Sequence, residues 1–344
     1  MSSSPAMDYL AEYKKLAEPQ LFSLIENKKQ LAAQMDSRAA TLVAHFLEVA
    51  RGGKRLRGAL TVLAYEMAGK RIDPGCLKAS VAMELFQSGI LVQDDVMDQD
   101  GERRGVPTIH MRYPNLHLGE AVATCVGDSA YGWTFAEIAA LPYEPAVTVK
   151  AIQLFAHYFG RLGIGQSLDV MGGMGELLPP ETIIKVIHLK SAEYTCILPL
   201  MLGATIAAAP PEFLVAIEKY GSNLGWAFQI QDDILGMFGQ ETGKPVGSDL
   251  RGRKQTLLFN EFLARANSTD KSKFLTLWGK KEVTETEIKW VQDVLEASGS
   301  LAAVKQRGQQ YVSAGKQFIS QLTTDKKLQA VAHDFLDLML NRMV

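Results

Sequence analysis

Cysteine is scarce in this chain, and its three copies stand apart at Cys76, Cys125 and Cys196. No CxxC spacing or His/Cys grouping accompanies them, which argues against a disulfide framework or a zinc site. They read as small buried hydrophobes in a reducing, cytoplasmic setting. Net charge is also nearly absent: 36 Lys and Arg oppose 38 Asp and Glu. A general nucleic-acid binder carries a basic surplus, so no such partner is expected. Long apolar runs are missing too. The longest, Ile197 to Ala209, stops at Pro210-Pro211 and is too short to span a bilayer. The first residues lead into Asp8, Glu12, Lys14 and Lys15 with no apolar signal core. Strand signals are sparse, and no low-complexity tract, linker or clean repeat is visible.

Helical periodicity is what remains, nearly everywhere. With 344 residues, 47% of them hydrophobic, the chain can bury a large core. The expected architecture is a single all-α domain over 1–344, its first few residues disordered. Two amphipathic helices suit residues 8–50, broken near Asp36-Ser37. Others are expected over 55–69, 74–98, 117–140, 145–172, 180–208 and 211–238, then several shorter ones to 342. Asp73-Pro74 reads as an N-cap with Pro at the first helical position. The stretches around 99–107 and 239–253 read as loops.

Two acidic clusters sit inside this apolar helical background. They are Asp94-Asp95-Val96-Met97-Asp98 and Asp232-Asp233-Ile234-Leu235-Gly236. Carboxylates are costly to desolvate unless something pairs with them. Asp94 and Asp98 share one helix face, where like charges repel unless a divalent cation bridges them. Magnesium would take its other ligands from water and substrate phosphates.

Cations flank both clusters. Gly52-Gly53-Lys54-Arg55-Leu56-Arg57 combines accessible backbone amides with three cations at a helix start, which suits a phosphate. An exposed basic helix start explains it equally well. Arg103-Arg104-Gly105-Val106-Pro107-Thr108 follows the first acids; its arginines either pair with them or reach two different phosphates. His110 reads as structural. Gln166, Asp169 and Lys190 suit a buried polar network as well as a binding site. After Asp232-Asp233 come Lys244, Asp249, Arg251, Arg253 and Lys254. Acids ending an apolar helix with cations close behind thus occur twice.

Read in order, these pieces resemble the trans-type isoprenyl diphosphate synthases of the polyprenyl synthetase family. The match runs from Gly52 to about Thr256. It takes in Gly-Gly-Lys-Arg-Leu-Arg, Asp-Asp-Val-Met-Asp, Arg-Arg-Gly-Val-Pro-Thr, Gly-Gln-x-x-Asp, Lys-Ser-Ala, Phe-Gln-x-x-Asp-Asp and Gly-Lys-Pro-x-Gly-Ser-Asp-Leu. The resemblance implies an isoprenoid-synthase helical bundle around a deep central cavity, assembled as a homodimer. It implies that Asp94 and Asp98 hold two Mg2+ ions and Asp232 a third. Arg103, Lys190, Lys244 and Lys254 then contact an allylic diphosphate (dimethylallyl, geranyl or farnesyl), with Ser191 and Gln229 nearby. Lys54, Arg57, Gln87 and Arg104 take isopentenyl diphosphate. The implied reaction is a 1'-4 head-to-tail condensation, in which Asp94, Asp98, Arg103, Lys190, Asp232 and Lys244 form the catalytic set.

Three positions depart from the family pattern. Gly236 replaces a third Asp, Arg253 stands where Gly is usual, and Gln87 where many relatives have His. In the family, bulky aromatics four or five places before the first Asp shorten the product. Here Ile90 and Gly89 leave room, giving geranylgeranyl diphosphate or one unit longer, and Phe86, a further turn down, is either the floor or ordinary core packing. Three other functions compete. A non-catalytic subunit of a heteromeric synthase would have lost motif residues, a terpene cyclase would not use Lys54, Arg57 and Arg104, and a helical scaffold leaves the buried acids unexplained.

Overall fold

The computed structural model describes residues 4–173, 175, 177–239, 246–280 and 282–341. The chain divides into two compact units. Residues 1–155 and 199–214 form unit 1; residues 156–198 and 215–344 form unit 2.

Unit 1 opens with α1 (Pro5–Met35) and α2 (Ser37–Ala50). Asp36 divides them: its N–H closes the last turn of α1 on Ala32, and its carboxylate accepts the Arg38 N–H at 2.7 Å to start α2. α3 (Leu56–Met67) and α4 (Pro74–Met97) follow. Asp73 caps α4 by accepting the Cys76 N–H at 2.7 Å, with Pro74 in the first turn. Tyr65 and Tyr143 also donate their hydroxyls to Asp73, so the cap is fixed from three sides. α4 is the hub, packed by α1, α2, α3 and α5 (Leu116–Ala139). Among the described residues it is the one helix long and apolar enough to cross a membrane, yet most of it is buried in the fold.

Between α4 and α5 the expected loop contains a two-stranded hairpin, β1 (Glu102–Arg103) and β2 (Val106–Pro107). α6 (Pro145–Gly173) leaves unit 1 for unit 2. The helix expected over 180–208 is not continuous. It comprises α7 (Pro180–Ile187), a π-helical segment (His188–Ile197) and α8 (Leu198–Ile206). Back in unit 1, α8 meets α3 closely: a Cβ at Gly203 would lie 2.0 Å from the Thr61 carbonyl.

Unit 2 holds most of α9 (Pro211–Phe238), the short α10 (Ser248–Arg251) within the expected 239–253 loop, and α11 (Leu257–Arg265). It ends with α12 (Ser268–Leu277), α13 (Glu285–Ala297), α14 (Ser300–Lys316), α15 (Ile319–Leu322) and α16 (Lys326–Asn341). Its core joins Trp226, Ile230 and Ile234 of α9 to Leu258 and Phe262 of α11, Val291 of α13 and Val304 of α14. All three cysteines are free thiols; Cys76 and Cys196 are buried as expected, but Cys125 is exposed on α5.

Candidate active site

The first acidic motif closes α4. Asp94 and Asp98 are half-buried, with Asp98 as the C-cap residue. One position along, helical rotation turns Asp95 inward until its side chain is 1% exposed. Arg103 donates Nε to Asp95 Oδ1 at 2.5 Å, and its Nη2 also pairs with that carboxylate. Nη2 lies 3.9 Å from Asp94 and 3.7 Å from Asp100. Burial pushes the Asp95 carboxyl up to about 6, a rise the Arg103 contact only partly offsets. The sequence left open whether Arg103 pairs with an acid; here it does, and it fixes the end of α4.

The hairpin explains how adjacent arginines serve different places. Its turn is Arg104-Gly105, with φ of 55° and 75°. Two consecutive positive φ values define the tight turn that matches strand twist, and glycine adopts them freely. Arg103 stays on β1 beside the acids, while Arg104 swings to the basic loop. There Nη1 donates to the Arg51 carbonyl at 3.3 Å. A Cβ on Gly53 would sit 3.0 Å from Arg104 Nη2. Gly52 and Gly53, at φ of 87° and 96°, therefore turn the chain and admit this side chain. Lys54, Arg57 and Arg104 thus belong to one region of unit 1.

Beneath that region lies Glu84, a buried acid of α4 that the sequence reading passed over. Its Oε1 accepts the Gly58 N–H at 2.7 Å, and Oε2 is 3.8 Å from Arg55 Nη1. Arg55 is itself buried, bonded to the Ala50 carbonyl and to Glu18. Burial raises the Glu84 pKa, against the Gly58 N–H and the charges of Arg55, Arg57 and Arg104. Gln87 lies on the same half-buried α4 face as Asp94.

In unit 2 the second motif repeats the division of labour. Asp232 at the end of α9 is exposed, and Asp233 is 1% exposed. Asp233 accepts from Gln229 Nε2 at 2.6 Å and from the Leu257 N–H at 2.8 Å. Burial, together with Asp249 and Asp232, holds its carboxyl well above the usual range. Ser191 in turn donates to Gln229 Oε1. One polar chain thus ties the π segment, α9 and α11 together, and Ser191 and Gln229 are members of it.

The π segment presents Lys190, whose ammonium donates to Asp169 of α6 at 2.6 Å. Glycines make room for its wide turns: a Cβ at Gly165 would meet Leu189, and one at Gly225 would meet Ala192. Glu193 anchors the segment through both its oxygens to Arg161. Such π segments recur at functional sites.

Both departures in the second half have physical explanations. A Cβ at Gly236 would lie 2.1 Å from Asp249 Oδ2, so Asp249 fills the space where a side chain would begin. Arg253 has φ 54°, the left-handed region where glycine is at ease. Its guanidinium lies over Trp278 at 5.2 Å, a cation–π contact that offsets the strain. Trp278 Nε1 also donates to the Lys254 carbonyl at 3.3 Å, so the backbone that presents Lys254 is retained. Lys244 lies outside the described residues. At the product-length positions, Ile90 is half-buried and Phe86 fully buried. The room at Gly89 is taken: a Cβ there would sit 2.9 Å from Ala130 Cβ and 3.0 Å from the Tyr131 ring.

The donor chemistry fits magnesium. Asp94, Asp98 and Asp232 offer carboxylate oxygens, and no three His, Cys, Asp or Glu side chains converge on one position among the described residues. Carboxylate oxygens, from Asp94 and Asp98 in unit 1 and from Asp232 in unit 2, are the kind of donor such an ion takes.

An all-α fold carrying two acid-ended helices with basic companions defines the class, and the comparisons agree with it. Residues 40–295 match the polyprenyl synthetase family model. The chain is 32% identical over 268 residues to a geranylgeranyl diphosphate synthase of Methanosarcina mazei, covering 77% of this chain and 79% of the relative. It is 29% identical to a geranylfarnesyl diphosphate synthase of Aeropyrum pernix, covering 85% and 90%. A crystal structure of geranylgeranyl pyrophosphate synthase from Corynebacterium glutamicum, complexed with isoprenyl diphosphate and magnesium, superposes with a TM-score of 0.90 at 25% identity, covering 97% and 99%. This chain belongs to the polyprenyl synthetase family. It is a trans-type prenyltransferase with the family's all-α fold.

Proposed function

We propose that the enzyme condenses isopentenyl diphosphate with an allylic diphosphate to give geranylgeranyl diphosphate or the product one unit longer. The observation that carries this reading is the repeated acid pair. In each motif one aspartate is accessible, and its buried neighbour is locked by hydrogen bonds. Lys54, Arg57, Gln87 and Arg104 hold isopentenyl diphosphate. Arg103, Lys190 and Lys254, with Lys244, hold the allylic diphosphate beside Ser191 and Gln229. Asp94 and Asp98 are the ligands for two Mg2+ ions and Asp232 for a third.

When bound, the metal neutralises the charge that builds on the departing pyrophosphate. The fixed cations do the same from the protein side, pre-oriented and without reorganisation. The C1–O bond of the allylic substrate breaks and the pyrophosphate leaves with the electron pair. The double bond of isopentenyl diphosphate forms the new carbon–carbon bond to C1. The resulting cation loses a proton, which the pyrophosphate accepts, so no side-chain base is required. Apolar surroundings keep water from the cation. The retained motif acids and cations speak against a non-catalytic partner role.

The test is incubation with labelled isopentenyl diphosphate and each of dimethylallyl, geranyl and farnesyl diphosphate, followed by sizing of the dephosphorylated products. Twenty- or 25-carbon chains are expected, and chelation of divalent ions abolishes them. Turnover that persists in excess chelator sinks the metal reading.

The active form is a homodimer in this reading. The exposed face of α5 carries Leu118, Ala121, Cys125, Gly132 and Ala136, small or apolar residues at helical spacing. Light scattering is expected to give twice the mass of the chain, and a monomer at assay concentration refutes it. The free thiols accord with a reducing, cytoplasmic location.

A further inference from the structure

The π segment (His188–Ile197) is gripped from two sides within unit 2. On α6 the grip is one stripe at four-residue spacing. Asp169 takes the Lys190 ammonium, Gly165 makes room for Leu189, and Arg161 takes Glu193. On α9, Gly225 admits Ala192, Trp226 faces His188, and Gln229 accepts from Ser191. Arg161 stands eight residues before Asp169, about 12 Å along α6. The grip thus has a part beside Lys190 and a part remote from it.

Glu193 closes the remote part. Arg161 donates Nε to its Oε2 at 2.8 Å and Nη2 to its Oε1 at 2.7 Å, a two-pronged bond. His188 Nε2 lies 3.3 Å from the same Oε1. The imidazole stacks on Trp226 with ring centroids 6.2 Å apart, and Trp226 stacks on Tyr311 of α14 at 5.4 Å. Burial alone would raise the Glu193 carboxyl, yet its His188 and Arg161 partners hold it below the ordinary value.

The spacing of the pair carries the inference. His188 and Glu193 are five residues apart. In an α-helix that separation turns two side chains about 140° from each other, and only residues three or four apart meet. A π turn bonds residue i+5 to residue i, which brings both to one side. The same step recurs at the end of the segment, where the Leu198 N–H donates to the Glu193 carbonyl. The His188–Glu193 contact therefore forms only while the wide turn persists, and it favours that turn over an α turn.

We propose that Glu193, clasped by Arg161 and His188, is a positioning residue for the allylic half of the reaction. The clasp holds the π turn, and the π turn aims Lys190 and Ser191. An α turn in its place carries Glu193 away from His188 and rotates the residues before it relative to those after it. Lys190 and Ser191 then lose their common register with Asp169 and Gln229. The proposal rests on the prenyltransferase reading above, in which Lys190 contacts the allylic diphosphate.

The experiment compares wild type with Arg161→Gln, Arg161→Lys and Glu193→Gln, given labelled isopentenyl diphosphate, Mg2+ and each of the three allylic starters. Misplacing a binding group by about 1 Å from a distance costs up to about 10²-fold. The kcat/KM for the allylic substrate is therefore expected to fall about 10- to 100-fold in Arg161→Gln and Glu193→Gln. The KM for isopentenyl diphosphate stays near wild type, because Lys54, Arg57, Gln87 and Arg104 stand on other elements. Arg161→Lys keeps the charge but only one prong, and falls between. Urea unfolding is read beside the kinetics. A role in stability alone would move the unfolding midpoint and leave the kinetics of the folded enzyme unchanged. Should Glu193→Gln fail to fold, Arg161→Gln carries the test, since that side chain is 43% exposed. Folded variants with wild-type allylic kcat/KM overturn the proposal, as do equal rises in the KM values of both substrates. Absence of any prenyl product from wild type counts against the enzymatic reading instead.

Discussion

Asp94→Ala is expected to lower kcat by about 10²- to 10³-fold, the loss typical of removing one group that stabilises charge only in the transition state. Stability should hardly change. Asp94 is 24% exposed at its side chain, and Asp98 stands four residues on. Removing one of two like charges at that spacing relieves repulsion. A surface-like substitution of this kind stays within about 0.5 kcal/mol. Its neighbour should behave in the opposite way. Asp95 is buried against Arg103, so Asp95→Ala leaves a part-buried guanidinium without its closest partner and loosens the hairpin. Steady-state kinetics with excess Mg2+, read beside urea unfolding, separates the two. Near-wild-type turnover in folded Asp94→Ala removes Asp94 from the metal site.

The contrast shows which parts of the site the sequence made legible. Spacing alone put Asp94 and Asp98 on one face, and apolar periodicity placed most helices within a residue or two. Pro and Asp punctuation was decisive at Asp36, Asp73-Pro74 and Pro211. The π segment was not legible, because its wide turn depends on Gly165 and Gly225 from other helices. The 104–105 turn was not legible either, since Arg-Gly is not one of the two-residue hairpin signatures and Arg104 takes up a positive φ that its residue type does not announce. In the sequence Asp95 and Asp233 look equivalent to the acids that precede them. Yet one residue along a helix is a rotation of about 100°, which already sends the second acid to the other face. Gly89 illustrates the opposite failure. A missing side chain implied room, and only the partner helix shows that Tyr131 fills it.

Glu84 was legible too, as the one charged residue in an otherwise apolar and small-residue stretch before Gln87, and it carries the largest expected effect on stability. Glu84→Ala removes the acceptor of the Gly58 N–H and a counter-charge to Arg55, both inside the fold. Breaking a buried pair from one side costs about 3–5 kcal/mol, since the remaining charge stays desolvated. Arg55 keeps Glu18 and the Ala50 carbonyl, which places the expected loss near the lower end. Glu84→Gln keeps an oxygen for Gly58 but not the charge, so it should retain more of the stability. Arg55, Arg57 and Arg104 would then lack the anion that now faces them, and their region becomes more positive. The KM for isopentenyl diphosphate should change in Glu84→Gln while that for the allylic substrate stays near wild type, because the cations that face Glu84 are Arg55, Arg57 and Arg104, the last two of them proposed for isopentenyl diphosphate. Urea denaturation of both variants and separate KM determinations test this. Equal shifts in both KM values would show that Glu84 acts on the fold at large rather than on the basic loop.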